Sequence, residues 1–245
     1  MANLILPDPR MEMPELFEPG RKPIGHVVLR DSVRGCVFAT DGIRDYTSKL
    51  NHLTSSNIAK SAGCYDFQSP SLTTGVLSRG NTVGLPTLAA ATLTIVAVIK
   101  PRSYVSLSNI FGFGRDTATL SVGFGRYILQ FNNNYYFWGM GADWDTGIAY
   151  DTDAHQHIIA MVKTGATSFE FYRDGILRAT TTSLTGTLQN LTAGNREIFV
   201  GNGHPSAATG PDMLWGGGAI FDRALTAPEA RSITTDFYAQ IFEPA

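Results

Sequence analysis

Four aspartates, Asp143, Asp145, Asp151 and Asp153, punctuate the stretch GADWDTGIAYDTDAHQH (141–157), and His155 and His157 close it. Carboxylates gathered in a loop offer calcium its oxygen ligands, so these four acids are the calcium candidates. Their spacing is not that of an EF-hand, and alternating Asp in a loop is more often a solvated turn. Histidines at i and i+2 could share a strand face and hold a transition metal, but no cysteine or third histidine stands nearby. Surface histidines at a strand start are the commoner case, here and for His204 in GNGHPSAATG.

Overlapping the acids is NNNYYFWGMGADW (132–144). Its rings could stack on sugars beside the amides of Asn132–Asn134, with Tyr136, Trp138 and Trp144 as the stacking candidates. Alternation along a strand would instead bury Tyr135 and Phe137, or Tyr136 and Trp138, in a core. That is the usual fate of strand aromatics.

Retaining glycoside hydrolysis needs two carboxyl groups about 5–5.5 Å apart, as alternate positions on one strand provide. None of the strand-like runs holds such an array: Glu170 is the lone acid within SFEFYR, and Asp174 belongs to a turn. A nucleophile elbow of the G-x-S-x-G kind is missing too. The glycine strings FGFGR (111–115) and GFGR (123–126) precede no helix, so they read as strands packed close to a neighbour. The expectation is no enzyme activity, and no cofactor apart from the calcium option.

Composition frames these residues. The chain has 245 residues, 43% hydrophobic and 16% charged, with a net charge of −2. That suits a large β domain with a sparsely charged surface, and leaves no Lys/Arg cluster with which to bind nucleic acid. No run approaches the roughly 18 apolar residues of a membrane helix. The start, MANLILPDPRMEMPELFEPGRKP, lacks the basic-then-apolar pattern of a secretory signal. Folding in a reducing cytoplasm is therefore expected, with Cys36 and Cys64 as buried free thiols and the Asn190-Leu191-Thr192 glycosylation acceptor idle.

Strand-like runs occupy 63–68, 73–78, 93–100, 118–124, 126–131, 135–138, 157–163, 168–173, 176–182, 196–200 and 214–221, with a polar connection at 41–62. Short strands at this spacing point to an all-β sandwich or barrel. EFYRDGILRATTT (170–182) reads as a hairpin whose Asp174-Gly175 turn supplies the positive φ pair of type I′. A helix over 227–241 follows from the Thr226/Glu229 capping box, with Ala230, Ile233, Phe237 and Ile241 on one face; it should close one end of the sandwich. Residues 1–24, with prolines at 7, 9, 14, 19 and 23, form an extended arm ahead of the β domain at 25–245. Leu4, Ile5, Leu6, Leu16 and Phe17 give the arm apolar surface to cover, making it the expected partner-binding segment.

The succession TIVAVIKP (94–101), HIIAMVKTG (157–165), FYRDGILRATT (171–181), FVGNG (199–203) and GGGAIFDRALTAPEARSI (216–233) resembles laminin-G-like, concanavalin A-like jelly-roll domains. The resemblance spans roughly 34–240. Laminarinase-type hydrolases of that fold carry Glu-x-Asp-x-x-Glu or Glu-x-Asp-x-Glu on one strand, a pattern absent here. PGRKPIGHVVLRDSVRGCVFATDG (19–42) and FYAQIFEPA (237–245) are similar to the ends of laminin-G-like proteins of tailed bacteriophages. The resemblance implies a jelly-roll β-sandwich in a non-enzymatic virion structural protein, foremost a head (capsid) decoration protein. Other virion proteins, chiefly the major capsid protein, are then the partners, and a homo-oligomer, a trimer by analogy, is expected. A tail or fibre receptor-binding protein is the neighbouring option. The competing class is a carbohydrate-binding module that holds host surface glycans.

Overall fold

The run LTIVAVI is apolar at every position but one because both faces of its strand are covered. The computed structural model describes residues 36–38, 53–56, 58–61, 64–67, 76–79, 85, 88–103, 108–115, 126–131, 134–139, 142–152, 155–188, 190, 197–201 and 211–237. In chain order the first strands are β1 (Cys36–Phe38), β2 (Thr54–Ser56), β3 (Ala59–Ser61), β4 (Cys64–Phe67), β5 (Val76–Arg79), β6 (Leu93–Ser103), β7 (Ser108–Arg115) and β8 (Arg126–Phe131). They are followed by β9 (Asn134–Gly139), β10 (Ala142–Ala149), β11 (His157–Lys163), β12 (Phe169–Arg173), β13 (Ile176–Thr181), β14 (Thr185–Gly186), β15 (Glu197–Gly201), β16 (Asp212–Phe221) and helix α1 (Ala227–Thr235).

These strands form two antiparallel sheets. The first is ordered β13-β12-β11-β6-β16-β4-β3, with β1 also paired to β16; the second is ordered β14-β10-β9-β8-β7-β15-β5-β2. Between them lies the main core. Leu93, Ile95, Ala97 and Ile99 of β6, with Ile159, Met161 and Trp215, meet Phe111, Phe113, Tyr135, Phe137, Ile198 and Val200 from the second sheet. Large rings interlock there at tilted angles, Phe111 on Trp215 with centroids 4.9 Å apart and Phe137 on Phe169 at 4.3 Å.

The other face of the first sheet is apolar as well. Val96, Val98, Ala160, Val162, Ala219 and Phe221 lie beneath Leu225, Ala230, Ile233 and Phe237. Helix α1 therefore covers the outer face of the first sheet and does not close an end of the sandwich, as the sequence had led us to expect. It also stops at Thr235, where the Asp236 N–H donates to Ser232 O at 3.1 Å. Ile241 lies outside the described residues.

The hairpin at 170–182 has its expected turn, with φ of 52° at Asp174 and 76° at Gly175. Its work extends beyond register. The Asp174 carboxylate accepts the Ile158 N–H at 3.0 Å and sits 2.7 Å from His157 Nδ1, while the Gly175 N–H donates to Thr234 Oγ1 at 3.1 Å. One turn thus ties β11 to the hairpin and docks α1 onto both.

Strands β8 and β11 fall where the sequence placed them. The polar connection at 41–62 contains two short strands, β2 and β3. Cys64 is free but half-buried, its thiol pushed up chiefly by burial. The arm at 1–24, with Leu4, Ile5, Leu6, Leu16 and Phe17, and the expected strand at 118–124 lie outside the described residues.

Candidate functional site

The acid-rich stretch read as a loop is mostly a strand. β10 pairs with β9 so that Ala142 faces Gly139, Asp143 faces Trp138, Trp144 faces Phe137 and Asp145 faces Tyr136. Asp and Gly disguise it. Gly147, at φ 66°, makes the irregularity near its end, and Asp145 caps that bend by accepting the Gly147 N–H at 2.8 Å. Asn134 Nδ2 donates to the same carboxylate, 3.0 and 3.2 Å from its two oxygens.

Alternation then sorts the aromatics. Tyr135 and Phe137 point into the core and are fully buried. Tyr136 and Trp138 point the other way, half-buried, and pack against Phe199 on the outer face of the second sheet. Trp144 shares the inward face with Phe137, packing on the core with its ring 6.2 Å from Phe169. The structure unites two of the three stacking candidates and turns the third, also half-buried, toward the core, because an odd offset in register puts Trp144 on the opposite face.

Asp143 and Asp145 join the two outward rings. The Tyr136 hydroxyl is hydrogen-bonded to Asp143, and its phenol is pushed up to about 12, first by burial and then by the charges of Asp143 and Asp145. Asp143 Oδ1 is buried and finds no hydrogen-bond partner. One register row across this sheet runs Thr185, Asp143, Trp138, Tyr127, Gly112, Phe199, Ser78 and Thr54. The adjacent row runs Asp145, Tyr136, Leu129 and Asn109.

The calcium candidates part company. Asp143 and Asp145 lie on the sheet face, and Asp151 pairs with Arg173 at 2.5 Å; Asp153 lies outside the described residues. Among the described residues no three His, Cys, Asp or Glu side chains gather. His157 is buried against Asp174, whereas His155 is exposed, so the two do not present a common face. His204 is outside the described residues. The loop reading also hid a pair of carboxylates at alternate positions of one strand, Asp143 and Asp145. Reading YYFW and ADWD as the two arms of a hairpin about Gly139–Gly141 would have revealed both the pair and the split of the aromatics.

Residues 75–231 match the laminin-G-like family model described as the concanavalin A-like lectin/glucanases superfamily. The chain belongs to that superfamily. A comparison with curated proteins gave no match. Among solved structures, this concanavalin A-like domain is similar to domain 4 of an extracellular arabinanase from Geobacillus stearothermophilus, in complex with arabinotriose. The TM-score is 0.62 at 11% identity, covering 82% of this chain and 97% of that one. It also resembles the binding domain of Paraclostridial mosquitocidal protein 1 (TM-score 0.59, 14% identity, 84% and 52% covered). A third likeness is to the binding domain of botulinum neurotoxin DC in complex with SialylT (0.58, 13%, 83% and 51%). The chain spans about half the length of these two toxin binding domains. At such identities the likeness shows the fold.

Proposed function

We propose that this chain is a non-catalytic binding domain that takes a saccharide on the outer face of its second sheet. The observation that carries the reading is the pairing of two half-buried outward rings, Tyr136 and Trp138, with Asp143 and Asp145 across the β9–β10 register. Flat rings receive the C–H faces of a sugar while neighbouring carboxylates accept its hydroxyls. On the other sheet, α1 covers the outer face of β6, β11, β12 and β16 among the described residues. A domain of this fold that was solved in complex with arabinotriose supports the reading by analogy.

The non-catalytic part rests on how the carboxylates are used. A retaining hydrolase keeps one carboxyl group as an acid and leaves the other poised as a nucleophile. Here Asp145 is held by Asn134 and the Gly147 N–H as part of the strand's bend. A glycan array followed by calorimetric titration tests the proposal: millimolar or tighter binding, lost in Trp138→Ala and weakened in Tyr136→Ala, is expected. Absence of binding on both platforms overturns it. Release of reducing ends from a bound glycan would move the protein to the hydrolases.

The terminal segments 19–42 and 237–245 favour a second, compatible reading, in which the domain is displayed on a phage particle as a head decoration. Tail or fibre placement is the neighbouring option, with the arm at 1–24 holding the domain to other virion proteins. Mass spectrometry of purified particles should find the chain in structural amounts. A chain lacking residues 1–24 should fold yet leave the particles, and absence of the full chain from particles refutes this placement.

A further inference from the structure

The outward face that carries Tyr136 and Trp138 is anionic, and from this we infer which sugars it takes: uncharged and amino sugars are accepted, and sialic and uronic acids are rejected. This inference rests on the saccharide reading above and adds the ligand class.

Three observations lead to it. First, the described rows hold no positive charge: the two register rows through Trp138 and Tyr136 contain Asp143 and Asp145 and no Lys or Arg. A sugar carboxylate laid on these rings would find no cation along those rows to pair with. Second, the Asp143 carboxylate is only partly satisfied. Tyr136 bonds to it, but Oδ1 lies buried without a partner. The residue as a whole is half-buried, and the terminal torsion of Asp is soft, so a turn of χ2 is the movement by which that oxygen would meet a ligand. An ionised carboxylate only accepts hydrogen bonds, so a ligand must bring O–H or N–H donors. Hydroxyl-rich and ammonium-bearing rings do so, whereas an acidic sugar brings another acceptor and another negative charge. Third, Asp145 is exposed and accepts from Asn134 and from the Gly147 N–H mostly through Oδ1, so its remaining lone pairs, like those of Asp143, call for donors. Its charge adds to the field that Asp143 sets up.

The magnitude is large enough to read. Two like charges about 6 Å apart, at the effective dielectric of a protein surface, disfavour binding on the order of a hundredfold before salt screening. At physiological ionic strength a gap of about tenfold should survive.

Calorimetric titration of the intact chain with arabinotriose, cellotriose, lactose and the glucosamine trimer on one side, and 3′-sialyllactose and trigalacturonate on the other, tests this. At least one of the first group should bind about tenfold more tightly than either acid. Raising the salt from 50 to 500 mM should narrow the gap without any mutation. Asp143→Asn should weaken the uncharged sugar and shrink the penalty on the acidic one, and the Tyr136 phenol should titrate at lower pH in that variant. Acidic sugars that bind as tightly as the uncharged ones overturn the selectivity and leave the saccharide site standing. Failure of every sugar to bind overturns both.

Discussion

Arg223 grips Glu229 through two parallel N–H···O bonds, Nη1 to Oε2 at 2.7 Å and Nη2 to Oε1 at 2.8 Å. Oε2 also accepts the Thr226 N–H at 2.7 Å and the Thr226 hydroxyl at 2.9 Å. One carboxylate thus caps α1 and ties it to the segment leaving β16. This is the physical content of the DRALTAPE string: an arginine, a capping threonine and a glutamate, spaced so that all three converge.

This cluster sets an acid limit on stability. The Arg223 bonds, followed by those from Thr226, hold the Glu229 carboxyl down to about 2, below its ordinary value near 4.5. A folded-state pKa below the unfolded one contributes stability above the unfolded value, and that stability drains away as pH falls from about 4.5 through 2. Urea unfolding at pH 7, 4, 3 and 2.5 should show wild type converging on Glu229→Gln as the acid end is approached. At neutral pH the variant should cost about 1 kcal/mol, the usual worth of a helix cap. Parallel curves at all four pH values would remove Glu229 from the account.

Gly175 sits directly under the last turn of the helix. A Cβ built there would lie 2.3 Å from Thr235 Oγ1, and the backbone is at φ 76°. Gly175→Ala should therefore lose about 1–2 kcal/mol, part from the left-handed backbone and part from the clash. Adding Thr235→Ala should recover only the second part. Denaturation midpoints of the single and double variants separate the two contributions, and a double variant no better than Gly175→Ala would show that the clash is relieved without cost.

Trp138 and Trp144 should behave as opposites. Trp144→Ala empties space against Phe169 and the core, for an expected loss of about 2–3 kcal/mol. Trp138→Ala removes an outward, half-buried ring and should change stability by less than about 1 kcal/mol while abolishing sugar binding. Thermal melts and titration on the same samples check both halves. A Trp138→Ala protein that melts as early as Trp144→Ala would make Trp138 a packing residue.

The β-sandwich was legible because its signals are local. LTIVAVI reads as a strand, Asp174-Gly175 could only be a tight turn between strands, and Thr226 with Glu229 marked where the helix begins. Each depends on backbone conformation or spacing within a few residues, which the chain carries in its own order. The helix's destination and the site were not local. Which face of the first sheet α1 covers depends on Val96, Ala160 and Ala219, brought together from three strands far apart in sequence. Likewise, Asp143 resembles a loop residue until β10 is paired with β9. A one-residue shift in that register would exchange Trp144 for Asp143 and Asp145 on the outer face, so the company kept by Tyr136 and Trp138 was decided by strand pairing alone.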